Sequence, residues 1–184
     1  DIVEVSKIQT SQTEITPQEE RINLFLKIIE NENLPLASNK NLTFIINNGI
    51  EASDLTFDLD YIKLKTILNH LIENAIKFTS SGTVSVDVSF ENNNLVFAIS
   101  DTGIGIPKEK QDSIFEPFIQ GDTSNSRNYE GTGLGLTIVK GYINLLQGSI
   151  DLKSTPGQGT RFLIRIPANV CNTELAAESL PDNE

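Results

Sequence analysis

Tyr61-Ile62-Lys63-Leu64-Lys65-Thr66-Ile67-Leu68-Asn69-His70-Leu71-Ile72-Glu73-Asn74-Ala75-Ile76-Lys77-Phe78-Thr79 is the stretch that decides the fold. Its apolar residues Leu64, Ile67, Leu68, Leu71, Ile72, Ala75 and Ile76 recur three and four apart, which predicts a helix from Tyr61 to about Phe78 with one face in a core. The same spacing collects Thr66, His70, Glu73, Asn74 and Lys77 on the opposite, exposed side. A helix with one apolar face needs a partner layer, and the residues just downstream supply it. Val84, Val86, Val88 and Phe90 alternate with Ser85, Asp87 and Ser89, the pattern of a half-buried strand. Glu91-Asn92-Asn93-Asn94 then turns the chain into Leu95 to Ser100, a hairpin that ends at Asp101.

On the N-terminal side, Asn41 to Asn47 is rich in bulky and β-branched residues and reads as a strand. Before it, Ile22, Phe25, Leu26 and Ile29 repeat at helical spacing, and Pro17 suits the first turn of that helix. Ser11 to Thr16 is polar, and Ile2, Val5 and Ile8 lie three apart, as at the end of an amphipathic helix that lacks its beginning. On the C-terminal side a short helix is expected after Pro107. Gly121 to Glu130 has no apolar periodicity and reads as a mobile lid. Leu134, Ile138, Val139, Tyr142, Ile143 and Leu146 restore helical spacing up to Gly148, the expected cap. Strands Ser149 to Ser154 and Thr160 to Ile166 flank the turn Pro156-Gly157-Gln158-Gly159. The domains expected are residues 1–10 as the helix end, 11–16 as a linker, 17–167 as one compact domain and 168–184 as an acidic tail or linker. In the last of these, Glu174, Glu178, Asp182 and Glu184 stand without any Lys or Arg.

A formal net charge of −11 argues against nucleic acid as a partner, because a polyphosphate backbone selects clustered Lys and Arg. The single cysteine, Cys171, excludes an internal disulfide and a cysteine-cluster metal site, and fits a reducing, cytoplasmic compartment. No apolar stretch approaches the roughly 20 residues of a membrane span. The chain has no Met, even at position 1, as expected of a piece of a longer protein.

Three further segments carry chemistry: Asp101-Thr102-Gly103-Ile104-Gly105-Ile106-Pro107, Phe115-Glu116-Pro117-Phe118 and Gly131-Thr132-Gly133-Leu134-Gly135-Leu136. A carboxylate at Asp101 accepts a hydrogen bond from an exocyclic amine such as adenine's and repels the guanine carbonyl at the same place. Gly103 and Gly105 leave room for a flat ligand; the plain alternative is a strand-to-turn Asp before a glycine turn. Asp-Thr-Gly also occurs in aspartic proteases, which need a second such Asp, and the chain has no second copy. Gly131, Gly133 and Gly135 open a helix whose first N–H groups can hold a phosphate. No Gly-x-x-x-x-Gly-Lys-Ser/Thr is present, and a dinucleotide fold would require a parallel βαβ unit around the glycines. Asn74 can offer a neutral oxygen to a Mg²⁺ that phosphate already coordinates, and Lys77 one turn on can neutralise phosphate; an ordinary solvated helix face is the alternative. Glu73 can polarise or simply be solvated. His70 shares that face and can contact the metal shell, a phosphate or water.

Taken together, the four segments resemble the N, G1, F and G2 boxes of the sensor histidine kinase catalytic domain, a branch of the ATPase superfamily that includes gyrase, a heat-shock chaperone and mismatch-repair ATPases. The similarity spans roughly residues 17–167. It implies an α/β (α+β) two-layer sandwich, a mixed and largely antiparallel sheet with helices on one face, with which the observed alternation is compatible. It implies ATP and Mg²⁺ as ligands, with Asn74 on the metal, Lys77 on phosphate and Asp101 on the adenine amine. Gly103 and Gly105 would shape the adenine pocket, while Gly131, Thr132, Gly133, Leu134 and Gly135 would anchor the lid and serve the phosphates. Thr160 would support adenine through water, Phe115 and Phe118 would pack the base of the lid, and Arg127 would reach the terminal phosphate.

At position 70 many relatives of this type have Asn and the hydrolysing branches have Glu, so the resemblance implies phosphoryl transfer to a protein rather than efficient hydrolysis. The segment Asp1 to Ile8 resembles the end of the family's phosphoacceptor hairpin, whose histidine-bearing helix this chain does not contain. His70, the only histidine, lies in the nucleotide-binding helix. The expected enzyme is therefore a protein-histidine kinase domain that does not phosphorylate itself. Its expected partners are the phosphoacceptor histidine domain of the same parent and a downstream response regulator or receiver domain. The fragment is expected to be a monomer and the parent a homodimer, with a membrane anchor possible in the parent. The competing readings are a non-catalytic nucleotide-binding signalling module and a gyrase-like ATPase, which would need Glu where His70 stands.

Overall fold

The computed structural model describes residues 1–50, 55–119 and 132–171. At its centre lies a five-stranded sheet of order β2-β4-β5-β7-β6, made of β2 (Thr43–Asn48), β4 (Thr83–Glu91), β5 (Asn94–Asp101), β6 (Ser149–Thr155) and β7 (Gly159–Pro167). Only β2 and β4 run parallel; every other pair is antiparallel. The β4–β5 hairpin closes through Asn92 and Asn93, both with positive φ (50° and 59°), the left-handed backbone that a two-residue turn requires and Asn tolerates. The register puts Val86 opposite Ile99 and Ile99 opposite Phe162, so one face of the sheet is continuous apolar surface.

That face is covered by α2 (Ile22–Asn39), α3 (Tyr61–Phe78) and α4 (Gly135–Leu145). The whole predicted stripe of α3, Leu64 to Ile76, is buried, and each large side chain in it contributes about 1.5–3 kcal/mol relative to exposure. Asp60 caps the helix by accepting the Lys63 N–H at 3.1 Å. At the other end Lys40 Nζ donates to the carbonyls of Ile76, Lys77 and Thr79 at 2.7, 3.0 and 3.0 Å, a cation on the negative end of the helix. The two-layer α/β arrangement is thus the one expected.

Several local expectations are corrected. Pro17 does not open a helix; Gln18–Arg21 forms β1, paired antiparallel with β3 (Thr56–Leu59), and α2 starts only at Ile22. Strand β3 and β8 (Asn169–Val170) carry no strand signal in the sequence; β8 pairs with β3 to complete a second, three-stranded sheet. Pairing therefore continues to Val170, three residues past Pro167. The chain after Pro107 forms two single 3₁₀ turns, Lys108–Lys110 and Ser113–Phe115, not one helix. At the end of α4 the left-handed residue is Gln147 (φ 57°), and Gly148 donates back to the Ile143 carbonyl at 2.8 Å. The polar face of α3 is half-buried at Thr66, His70, Asn74 and Lys77, with only Glu73 exposed. The expected lid, Gly121 to Glu130, and most of the expected tail lie outside the described residues. Finally α1 (Ile2–Gln9) packs onto α4: Val5 is buried, and Glu4 accepts the hydroxyl proton of the buried Tyr142 at 2.5 Å.

Candidate functional site

Asp101 ends β5, directly opposite Thr160 on β7. Its Oδ1 accepts the Gly103 N–H at 2.8 Å, and the Thr160 backbone N–H also favours the ionised form. Burial outweighs both and holds the carboxyl above its ordinary range. Thr160 is itself buried, its Oγ1 2.9 Å from Ser154 Oγ. Ser154 also donates to the Gly159 carbonyl at 3.0 Å and accepts the Ile106 N–H at 2.7 Å, tying the Asp-Thr-Gly loop to the β6–β7 turn.

The two glycines of that loop are required by the protein's own backbone. A Cβ on Gly103 would strike the Phe78 carbonyl and the Asp101 carboxylate. Gly105 has φ +70° and lies against the Thr155 carbonyl. The loop is accordingly pinned on both sides, with Ile104 N–H donating to Phe78 O (3.2 Å) and Gly157 N–H donating to Ile104 O (2.7 Å). One end of the pin is the last residue of α3, so the polar helix face and the Asp101 pocket are held in one block.

On α3, Asn74 makes no side-chain hydrogen bond among the described residues and is half-buried. Burial lowers the pKa of Lys77, whose Nζ lies 5.2 Å from the Phe78 ring centroid. His70 is held below its ordinary value by burial, against the opposing pull of Glu73 and Glu4. Among the described residues no group of three or more His, Cys, Asp or Glu side chains could hold a metal ion. The donor set offered is instead a lone neutral amide beside a lysine. That set suits a hard cation which brings its own anionic oxygens from phosphate.

The glycine-rich segment closes the block. Gly133, φ +70°, accepts the Phe118 N–H on its carbonyl at 3.1 Å, and Thr137 Oγ1 donates to the Phe115 carbonyl at 3.1 Å. Phe115 packs edge-on against Phe162 with ring centroids 6.4 Å apart, while Phe118 is 69% exposed. Leu134 is buried in the core, so its part is to seat the loop. Thr132 is exposed; its hydroxyl donates to the Asp1 carboxylate at 3.0 Å and accepts the Leu134 N–H at 3.3 Å. Gly135 begins α4 directly over the His70 ring. Arg127 and Gly131 lie outside the described residues. Sequence reasoning missed Ser154 and Thr137, whose roles depend on partners 48 and 22 residues away and leave no local signal.

Residues 59–170 match the model of the family described as Histidine kinase-, DNA gyrase B-, and HSP90-like ATPase. The chain belongs to this family. Its fold is the family's ATP-binding fold, and the alternative readings are not favoured. Over 173 residues the chain is 38% identical to the autoinducer 2 sensor kinase/phosphatase LuxQ of Vibrio parahaemolyticus, covering 91% of this chain and 20% of that protein. The chain therefore spans about a fifth of the length of the curated relatives it matches. Among solved structures, full-length ShkA in complex with AMPPNP superposes with a TM-score of 0.80 at 26% identity, covering 92% of this chain and 35% of that one. The catalytic domain of histidine kinase ThkA, in a nucleotide-free form, gives a TM-score of 0.69 at 25% identity, covering 84% of this chain and 96% of that one. No helix among the described residues is long and apolar enough to cross a membrane.

Proposed function

We propose that this chain is the ATP-binding catalytic domain of a two-component sensor histidine kinase, which donates the γ-phosphoryl group of ATP to a histidine elsewhere in its parent protein. The observation that carries the reading is the single block described above, in which Asp101, the polar face of α3 and the start of α4 are pinned together by backbone hydrogen bonds and glycine contacts. A similarity to the ThkA catalytic domain over 96% of that chain supports it.

In this reading Asp101 accepts the adenine amine, with Thr160 and Ser154 fixing it, and Gly103 and Gly105 let the loop close on the base. Phosphates lie toward Lys77 and the N–H groups that open α4, with Thr132 and Gly133 shaping the approach and Gly131 and Arg127 serving the lid. Asn74 is the residue that would hold Mg²⁺ through its amide oxygen, with Glu73 beside it. When bound, the ion neutralises charge on the phosphate oxygens. The chain's own residues do little covalent chemistry; they orient ATP and spread charge while the acceptor histidine attacks in line. His70 is a weak candidate for the acceptor, since it is half-buried beneath α4.

The partners proposed are the parent's phosphoacceptor domain and a downstream response regulator or receiver domain, the parent acting as a homodimer. The test is to mix this chain with the phosphoacceptor segment of its parent, supply γ-labelled ATP and Mg²⁺, and look for acid-labile label on the segment's histidine. Transfer abolished by Asn74→Ala is the expected result; tight ATP binding without any transfer would sink the kinase reading.

A further inference from the structure

A side chain at Gly135 would press on that of His70, closer than ordinary van der Waals contact by a few tenths of an ångström. A Cβ on Gly135 would stand 3.2 Å from His70 Nδ1, 3.6 Å from Cγ and 3.8 Å from Cε1, so the imidazole approaches the first residue of α4 through its Nδ1 side. Nothing in the backbone demands glycine there. Gly135 is absent from the residues with positive φ, unlike Gly133, and as the opening residue of a helix it would gain from alanine's better propensity. His70 is half-buried at this contact, so a Cβ on Gly135 meets a side chain already packed against the start of α4.

We propose that His70 is a positioning residue, which sets the height of the N-terminus of α4 above α3 and thereby the place of the N–H groups that receive phosphate. Gly135 is the complementary half of the pair. The pair joins the polar face of α3 to the glycine-rich segment by steric contact, in addition to the hydrogen-bonded links at Phe78 and Phe118. Enlarging position 135 pushes the start of α4 outward only while the imidazole is present, so the two positions are coupled. The proposal rests on the nucleotide site described above.

The test is a double-mutant cycle of wild type, Gly135→Ala, His70→Ala and the double variant, each followed by melting temperature and by calorimetric titration with Mg²⁺-AMPPNP. Gly135→Ala alone is expected to weaken binding about three- to tenfold, within the span measured for contacting residues. In the His70→Ala background the same change is expected to cost nothing or to restore affinity, and the melting temperature to follow the same pattern. Equal effects of Gly135→Ala in both backgrounds would overturn the coupling. Coupling seen in melting but absent from nucleotide affinity would overturn the positioning role while leaving the contact. If wild type fails to bind the nucleotide, the site reading itself fails, and the melting cycle still decides whether the two positions press on each other.

Discussion

Asp101 is a buried carboxyl that works against stability once ionised. Burial raises its carboxyl pKa above the unfolded value, so its folded-state stabilisation is present below about pH 3.9 and is lost as pH rises through the raised value. Above the raised pKa the buried carboxylate is a net cost to the fold. Asp101→Asn keeps an oxygen for the Gly103 N–H but turns an acceptor into a donor where adenine's amine would arrive. We expect calorimetry at pH 7 to show ATP affinity at least tenfold weaker and melting to show no loss of stability; a large fall in melting temperature would contradict the account. His70 has the opposite sign. Its pKa is lowered by burial, opposed by Glu73 on its own helix and Glu4 on α1 and reinforced by the chain's amino terminus. Stability tied to His70 is therefore intact above about pH 6.5 and lost as pH falls through the lowered value. Melting curves of His70→Asn should lose stability less steeply than wild type just below pH 6.5. Both residues were visible in the sequence as polar groups at significant spacings, but the direction of their titration is a property of burial, which no local pattern carries.

At the scale of elements, α3 and the β4–β5 hairpin were legible because their residues meet the demands of period and turn without outside help. β1 was not. Gln18-Glu19-Glu20-Arg21 has no strand-forming side chain, and becomes a strand because β3 offers it a ladder and Tyr61 donates its hydroxyl to the Glu20 carbonyl at 3.1 Å. Lys40 was equally silent, yet three carbonyls at the end of α3 depend on it. Lys40→Met should cost about 1 kcal/mol in chemical denaturation, with amide exchange rising first at residues 75–79. Gly105→Ala tests the loop below Asp101. With φ +70° and the Thr155 carbonyl in the way, the change should cost about 2 kcal/mol or more and weaken ATP binding together with stability.

For the whole molecule, α1 is joined to the site it precedes. Val5 is buried, Glu4 holds Tyr142 of α4, and the Asp1 carboxylate accepts from Thr132 of the glycine-rich segment. Tyr142→Phe removes the first polar link, and hydrogen exchange is expected to rise across residues 2–9 while α3 and the sheet keep their protection; unchanged exchange in α1 would show that Val5 and Ile8 alone hold it. The sequence by itself determined helices α3 and α4, the hairpin and the order of the four segments, because periodicity, turn chemistry and glycine spacing are local constraints read along the chain. Only the tertiary structure decided that Asp101 is desolvated, that Ser154 braces Thr160, that His70 lies under Gly135 and that β3 recruits strands at both ends of the domain. Those facts are contacts between residues tens of positions apart, and their energies come from burial and close approach, which exist only once the layers have met.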